Sequence, residues 1–596
     1  MTFSPTREWG FLVPGCATPF PLTIPPRMMG SPHVFQLRFS QHWKSPYGDE
    51  GTLTAGYEFL GKPIAGPYTI PSGIVATATP VIQYLFDHVP LIGVMTTKSI
   101  GPVPREGNRE PIMLQYAPGC YMNAVGLTNP GADQAVKQLS ELEVPSNRFL
   151  LTSIFGGSLE EIVAVAVKLA PFSDGLELNL SCPHAKGYGM DMGQDADLVR
   201  EITSAVKSAV DVPVVPKLTP NVPDIGAIAV AAAEGGADAI CAINTVGPAS
   251  YSAYGEPVLT NILGGKSGKG ILPIALKCVK EIREVVDLPI IGCGGISNAD
   301  DVRAFAREGV DIFGVGSALT GMKSPEIKAY FDCLHQDLVD GSSQSAALVC
   351  NDVEMDFKPY KLVKNERITS DISILTFDGS LDIRAGEFVF TWIPGVGEKP
   401  FSVLTDDPFS LVVIDVGIFT HALLKLEAGD ELLVRGTYGI PVDITEGTRI
   451  MAVAGGTGLA AVYQIARDFG NADIFMGARS KDRLYFVDEC KAVADVHIAT
   501  DDGSAGFHGL VTELVSEHLA AMSADERNNL VFYNCGPAPM VHAAEKVEQA
   551  FVSGNKIFSA IDYLTKCGVG ICGSCHTPDG RRLCVDGPFL TGGQSV

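Results

Sequence analysis

The sequence predicts an α/β chain in four structured parts: a (β/α)8, or TIM, barrel, an antiparallel β-barrel, an α/β nucleotide-binding domain and a small cysteine-rich domain. Three observations lead there. Between about residues 52 and 340, short β-branched runs alternate with segments that are apolar at helical spacing. Past Asp352, short strands succeed one another with turn residues and little helix. From Arg449 the strand–helix alternation returns, and cysteines then crowd the C-terminal end. A length of 596 residues admits roughly four domains, with enough core to fold without disulfide staples.

Residues 1–51 read as an N-terminal extension, expected to be poorly ordered and given no function. Pro14, Pro19, Pro21, Pro25 and Pro26 interrupt any helix there, and no basic region leads into an apolar stretch. Residues 52–340 form the barrel. Its strand candidates are 91–97, 148–154, 174–180, 212–218, 237–243, 288–291 and 311–315, with helical stretches such as 159–170, 196–210 and 225–234 between them. About eight such units fill the segment. Gly341-Ser-Ser-Gln-Ser345 opens a linker over 341–352. In 353–445 the runs 372–377, 387–392, 410–416 and 431–435 are the strands of the small antiparallel barrel. In 446–556 a strand at 451–454, a Gly-rich turn and a helix at 459–469 open the nucleotide-binding domain. Residues 557–596 carry the cysteine cluster.

Composition narrows the function. A net charge of −24 argues against a nucleic-acid or anionic-membrane surface, which needs clustered Lys and Arg. No apolar run approaches the length of a membrane span. Of 14 cysteines, Cys567, Cys572, Cys575 and Cys584 cluster and the others are scattered, which fits a reducing, cytoplasmic compartment and a single metal site.

In a (β/α)8 barrel the chemistry sits at the C-terminal ends of the strands. Lys98 closes the second strand, Asn179 the fourth, Lys217 the fifth and Asn244 the sixth. One such residue reads as a solvated or capping group; four at equivalent positions read as a site. Gly292-Cys-Gly-Gly295 and Gly314-Val-Gly-Ser317 follow the seventh and eighth strands, where backbone N–H groups can bind a phosphate. A phosphorylated cofactor such as FMN suits that cup. Cys182, in Asn179-Leu-Ser-Cys-Pro-His184, is either a small buried hydrophobe or a general base, since a thiol titrates at about 8.5.

These motifs, with Thr97-Lys-Ser99, Asn123-Ala-Val-Gly-Leu127, Pro216-Lys-Leu218, Asn244-Thr245 and Gly264-Gly-Lys-Ser-Gly268, stand in the order seen in class 1 dihydroorotate dehydrogenases. The resemblance spans about residues 52–335. It implies FMN held by Ser72, Lys98, Ser99, Asn179, Lys217, Ile243, Gly268, Gly294, Gly295, Gly316 and Ser317. It also implies a pyrimidine held by Lys98, by Asn123, Ala124, Val125, Gly126 and Leu127, and by Asn179, Asn244 and Thr245, with Cys182 as base. Amides can read a planar imide by paired donors and acceptors, and a cation beside the flavin would stabilise its reduced anionic form. Ser153 and His184 stand where many class 1 enzymes have Asn. The His184 motif also resembles dihydropyrimidine dehydrogenases, and it resembles archaeal dihydroorotate dehydrogenases, which share the Lys98–Gly107 type of stretch.

In the second half, Cys567-x4-Cys572-x2-Cys575 matches plant-type [2Fe–2S] spacing, with Cys584 as the fourth thiolate and Gly568, Gly570 and Gly573 letting the loop wrap a cluster. A structural zinc site usually shows two C-x2-C knuckles; one is present. Lys399-Pro-Phe-Ser402, with Thr420 ending a further strand motif, resembles the FAD-contacting motif of ferredoxin-reductase-like domains, where Arg is frequent at the Lys399 position. Gly455-Gly-Thr-Gly458 reads as a phosphate-binding turn for NAD, supported by Thr500-Asp-Asp-Gly-Ser504 after the fourth-strand position and by Cys535-Gly-Pro-Ala-Pro-Met540. In the related reductases Cys535 and Gly536 would lie by the nicotinamide. Arg479 near the second strand leaves NAD and NADP both open. Residues 353–596 resemble the electron-transfer subunit of class 1B dihydroorotate dehydrogenases, down to Cys584-Val-Asp-Gly-Pro588.

The resemblance therefore implies a catalytic subunit fused to its reductase. It would oxidise (S)-dihydroorotate to orotate for pyrimidine synthesis, with electrons passing from FMN through [2Fe–2S] and FAD to NAD+, in a homodimer joined through the barrels. Two other readings stand beside it. A dihydropyrimidine dehydrogenase reducing uracil or thymine with NAD(P)H would carry several [4Fe–4S] clusters, and the remaining cysteines form no C-x2-C-x2-C run. A non-catalytic flavin and iron–sulfur carrier would leave Cys182, Asn123 and Asn244 without a purpose.

Overall fold

The computed structural model describes residues 56–180, 190–343, 353–561 and 564–591. Eight parallel strands close into a barrel in chain order: β1 (Tyr68–Ile70), β2 (Ile92–Thr96), β3 (Phe149–Ile154), β4 (Gly175–Asn179), β5 (Val214–Leu218), β6 (Ile240–Ala242), β7 (Ile290–Cys293) and β8 (Ile312–Gly314). Nearly every strand residue is buried, as expected where helices cover the outside and side chains fill the inside. The first strand, three residues long, is too short to leave a period in the sequence. The helix Leu159–Leu169 shows how the outer layer forms. Ser158 caps it by accepting the Glu161 N–H, Glu160 and Glu161 face its positive end, and Ile162, Val165, Ala166 and Leu169 bury one face. Such a cap is worth about 1 kcal/mol.

A four-stranded antiparallel sheet, in the order Val246–Ser250, Leu263–Gly268, Cys120–Asn123, Met113–Ala117, is inserted between barrel units. It pairs Asn123 with Gly265, and so carries the Asn123–Leu127 loop to the ends of the barrel strands.

The next unit is a seven-stranded antiparallel sheet of β9 (Lys358–Arg367), β10 (Ile372–Phe377), β11 (Phe388–Ile393), β12 (Gly397–Phe401), β13 (Val403–Asp406), β14 (Phe409–Ile414) and β15 (Glu431–Tyr438). Its order is β12-β11-β15-β9-β10-β14-β13. Its core includes Leu375, Phe377, Val389, Phe409, Leu411 and Leu432. Two placements differ from the sequence reading. Lys399-Pro-Phe does not merely follow the strand before it but lies within β12, where Lys399 pairs with Thr391. Thr420 ends no strand: it sits in the short helix Ile418–Leu423, where its Oγ1 accepts the N–H groups of Val416 and Gly417. That capping role favours a helical turn over a strand end.

The nucleotide-binding unit is a sheet in the order β19-β18-β17-β16-β20-β21-β22, built from β16 (Arg449–Gly455), β17 (Ala472–Ala478), β18 (Asp495–Thr500), β19 (Phe507–His508), β20 (Leu530–Cys535), β21 (Ile557–Ala560) and β22 (Leu590–Thr591). All pairs are parallel except β21–β22. Thr500 therefore ends the third strand of this sheet, not the fourth, because 481–494 supplies only short helices between strands.

Behind this sheet Glu548 is wholly buried and accepts Asn534 Nδ2–H at 2.8 Å, while Glu548 Oε1 and Asn534 Oδ1 have no hydrogen-bond partner. A proton on the carboxyl turns one orphan acceptor into a donor. Burial, aided by Glu545 and opposed by Asn534, pushes the Glu548 carboxyl up to about 8. Its folded pKa lies above the ordinary 4.5, so its contribution to stability is complete below that value and is lost as pH rises to about 8. Glu548→Gln mimics the neutral form. We expect its thermal midpoint at pH 8 to exceed the wild-type value by several degrees, with the two converging near pH 5, since each tenfold change in an acid's ionisation constant is worth about 1.4 kcal/mol. Equal midpoints at pH 8 would show a charged Glu548 tolerated in the core.

Candidate functional site

The ends of the barrel strands surround a cavity. One wall is a hydroxyl–amide network centred on Ser99, whose Oγ lies 3.1 Å from Ser72 Oγ and 2.9 Å from Ser153 Oγ and accepts Asn179 Nδ2–H at 2.8 Å. Ser153 thus fills a structural place in the wall without needing an amide. Lys217 is buried and lines the cavity, its Nζ 3.9 Å from Glu177 Oε1, which accepts no hydrogen bond. Burial opposes the ammonium, but Glu177 and the neighbouring Cys241 and Cys293 outweigh it and hold the Lys217 pKa above its usual range. A lasting cation and a cup of Gly294 and Gly295, both at positive φ, suit a phosphorylated, electron-rich ring. The donor set therefore fits FMN.

Of the residues expected at this cavity, Ser72, Lys98, Ser99, Asn123, Val125, Gly126, Leu127, Asn179, Lys217, Ile243, Asn244, Thr245, Gly268, Gly294, Gly295, Gly316 and Ser317 all line it. Ala124 does not: it alternates away from its neighbours into a core with Leu114 and Met122. Cys182 and His184 lie outside the described residues. Two supporting residues escaped the sequence reading. Asn108 holds the Asn123–Leu127 loop through its N–H on Val125 O and its Nδ2–H on Ala124 O, each 2.9 Å long. Asn221 donates to Thr245 O at 3.1 Å and accepts the Gly247 N–H at 2.9 Å. Both are lone Asn residues in loops, a pattern with no distinguishing signal in sequence.

The less expected wall comes from far along the chain: Ile571 and Cys572 also line this cavity. Val75 N–H donates to Ile571 O at 2.7 Å, Thr77 Oγ1–H to Cys572 O at 3.1 Å and Gly321 N–H to Val569 O at 2.8 Å. Arg582, buried, donates to Met322 O at 2.9 Å, and Asp586 accepts both the N–H and the hydroxyl of Ser324, at 2.7 and 2.6 Å. A Cβ on Gly573 would stand 1.9 Å from Thr77 Oγ1, so glycine permits this close approach. Cys567, Cys572, Cys575 and Cys584 are all buried, with Cys575 and Cys584 sulfurs 3.4 Å apart and Gly570 N–H donating to Cys584 Sγ at 3.1 Å. Four buried thiols facing one another repel as thiolates unless a cation sits among them, which suits an iron–sulfur centre.

On the reductase side, the Lys399 strand and the Thr420 helix meet through Phe401 and Phe419, ring centroids 6.3 Å apart. Lys399 Nζ also binds Glu110 of the barrel at 3.0 Å, and Lys566 reaches the same carboxylate at 3.4 Å. Gly455-Gly-Thr-Gly458 abuts Cys535 and Gly536: a Cβ on Gly458 would fall 2.2 Å from Cys535 O. The two loops expected to contact NAD thus come together as a pair. Asp473, His497 and His518 also bring ligand-type atoms within 4.8 Å of one another, but Arg449 already bonds both oxygens of Asp473. Among the described residues no helix is long and apolar enough to cross a membrane.

Comparison with known proteins agrees with this division. Residues 55–330 match the family model "Dihydroorotate dehydrogenase", 452–546 match "Oxidoreductase NAD-binding domain", and 564–595 match "Iron-sulfur cluster binding domain of dihydroorotate dehydrogenase B". The chain is 44% identical over 260 residues to the catalytic subunit of dihydroorotate dehydrogenase B (NAD(+)) of Methanocella arvoryzae, covering 44% of this chain and 85% of that one. It is 41% identical over 266 residues to the counterpart from Pyrococcus horikoshii, covering 44% and 85%. A solved NADH-dependent reduced ferredoxin-NADP oxidoreductase matches 39% of this chain and 88% of its own at 29% identity, with a TM-score of 0.35, too low to indicate a shared fold.

Proposed function

The chain belongs to the dihydroorotate dehydrogenase B family, and from that premise we propose how its residues divide the work. The activity is oxidation of dihydroorotate to orotate with NAD+ as final acceptor, in one chain that joins the barrel to NAD-binding and iron–sulfur domains. When bound, FMN supplies a two-electron sink that can release electrons singly, the cluster a one-electron relay, and FAD a hydride donor to NAD+.

Cys182 takes the proton from C5 of dihydroorotate as a hydride leaves C6. Asn123, Asn179 and Asn244 read the pyrimidine's imide edges, with Lys98 and Thr245 beside them. Lys217 would supply a positive charge to the flavin, and Ser72, Ser99, Ile243, Gly268, Gly294, Gly295, Gly316 and Ser317 would hold the rest of FMN. Lys399, Pro400, Phe401, Ser402 and Thr420 hold FAD. Gly455, Gly456 and Gly458 hold the NAD phosphates, with Cys535 and Gly536 at the nicotinamide. Cys567, Cys572, Cys575 and Cys584 bind the [2Fe–2S] cluster. The single observation that carries this reading is that Cys572, one of the four clustered cysteines, lines the barrel cavity. A cluster held there would border the flavin's cavity and could take its electrons without a mobile carrier.

The domain limits follow the same division: 52–340, 353–445, 446–556 and 557–596. We also infer a homodimer through the barrels, supported by the exposed apolar side chains of Tyr251, Tyr254, Ile262 and Leu263 on the inserted sheet and its loops. A cytoplasmic setting accords with the lack of any disulfide among the described cysteines.

Anaerobic reduction of the purified chain tests the reading. Dihydroorotate and NADH, added separately, should each bleach flavin and iron–sulfur absorbance. Bleaching by dihydrouracil but not dihydroorotate would overturn the substrate, and bleaching by NADH alone would leave only the reductase half.

A further inference from the structure

We propose that Arg435 is a positioning residue for the iron–sulfur centre: clamped between Glu398 and the backbone carbonyl of Cys567, its guanidinium raises the centre's reduction potential. The inference rests on the reading of Cys567, Cys572, Cys575 and Cys584 as the cluster's ligands.

Arg435 stands on β15 with its side chain 1% exposed, and its partner Glu398 on β12 is 0% exposed. The fork is fully used. Nε and Nη2 bind the two carboxylate oxygens of Glu398, the latter at 3.0 Å. Nη1 donates to Tyr438 Oη at 2.7 Å. Nη1 and Nη2 both donate to Cys567 O at 3.2 Å, across a sequence separation of 132 residues. The ring of Phe390 lies 4.4 Å from the guanidinium carbon.

An ion pair serving only to fill a core needs the Glu398 edge of this fork and nothing more, and apolar residues of similar volume often fill such a place as well. Here the opposite edge converges on one carbonyl, that of the first cysteine of the cluster loop. The bonds run from Glu398 through Arg435 to Cys567, so the cationic end of the pair faces the cysteine. Adding an electron to a cluster adds negative charge, which a nearby desolvated cation stabilises. Net charge and hydrogen bonding around the ligands are the recognised levers on such potentials. Raising the potential makes the centre a readier acceptor from the barrel side. The same contact fixes the cysteine loop to the sheet that carries Lys399-Pro-Phe, so distance and driving force are set by one side chain.

The test is a redox titration of the full-length holoprotein followed by the electron paramagnetic resonance signal of the reduced cluster. Glu398→Gln leaves the guanidinium uncompensated and should move the midpoint up. Adding Arg435→Gln to it should bring the midpoint back down by a tenfold change in the oxidised-to-reduced ratio, which is about 59 mV for a one-electron couple. Arg435→Lys, which keeps the charge, should stay nearer wild type than the double variant does. A purely structural role predicts lost signal intensity with no ordered shift. Midpoints unchanged in Glu398→Gln and in Arg435→Lys, or a downward shift in Glu398→Gln, would overturn the proposal even if the double variant fails to assemble. A wild-type chain lacking the [2Fe–2S] signal would instead overturn the ligand reading on which it stands.

Discussion

Cys182→Ser is expected to lower dihydroorotate oxidation at neutral pH by a factor of about 10²–10⁴, the usual worth of a positioned general base. The reaction removes a proton from carbon, and a thiol titrating at about 8.5 reaches its basic form within ordinary pH. A serine hydroxyl does so only at much higher pH, so the variant's residual rate should climb with pH over a range where the wild-type rate has levelled off. Cys182 follows β4, whose last residue, Asn179, lines the cavity. Reduction of ferricyanide by NADH bypasses this step and should keep its wild-type rate. A variant that oxidises dihydroorotate normally at pH 7 would show that another group takes the proton.

Asp586→Ala should separate the two halves of the enzyme without stopping either. Its side chain is 5% exposed, and it accepts the Ser324 N–H, the Ser324 hydroxyl and the Arg582 N–H. Removing one partner of a buried, hydrogen-bonded charge costs about 2–5 kcal/mol, because the groups left behind have neither water nor a replacement. That loss falls on the contact between the cluster loop and the barrel mouth. Turnover from dihydroorotate to NAD+ should fall at least tenfold. Oxidation of dihydroorotate by a dye that draws on the barrel flavin, NADH:ferricyanide reduction and the cluster's absorbance should all survive. Ser324→Val, which removes the hydroxyl bond from the barrel side only, should show a smaller loss of the same kind. Wild-type coupling in Asp586→Ala would mean that the bonds from Val75 N–H, Thr77 Oγ1–H and Gly321 N–H suffice to hold the contact.

Much of the site was legible before the fold was seen, because its parts are local. The second, fourth, fifth and sixth barrel strands each end in a polar residue within a few positions of an apolar run, and the seventh and eighth run into glycine strings. The four clustered cysteines lie within one loop and a short return. Failures came where local pattern and tertiary role part company. Ala124 belongs to a contiguous motif, yet strand alternation turns it into a core, whereas Asn123 and Val125 line the cavity. Thr420 sits where a strand motif was read, but its hydroxyl caps a helical turn. Lys399, in the motif expected to contact FAD, binds Glu110 of the barrel, a partner 289 residues away that the local pattern does not announce.

By itself, then, the sequence determined the barrel and the reductase order after it, and it marked the glycine-rich turns and the cluster of four cysteines, since periodicity, glycine placement and cysteine spacing are properties of short segments. Only the tertiary structure decided that Cys572 would stand in the barrel cavity, that Arg435 would grip Cys567, and that Lys399 and Lys566 would share Glu110. Such contacts depend on which faces of separately folded units meet, and that is fixed by the shape and polarity of whole surfaces, to which no single stretch of the chain is a guide.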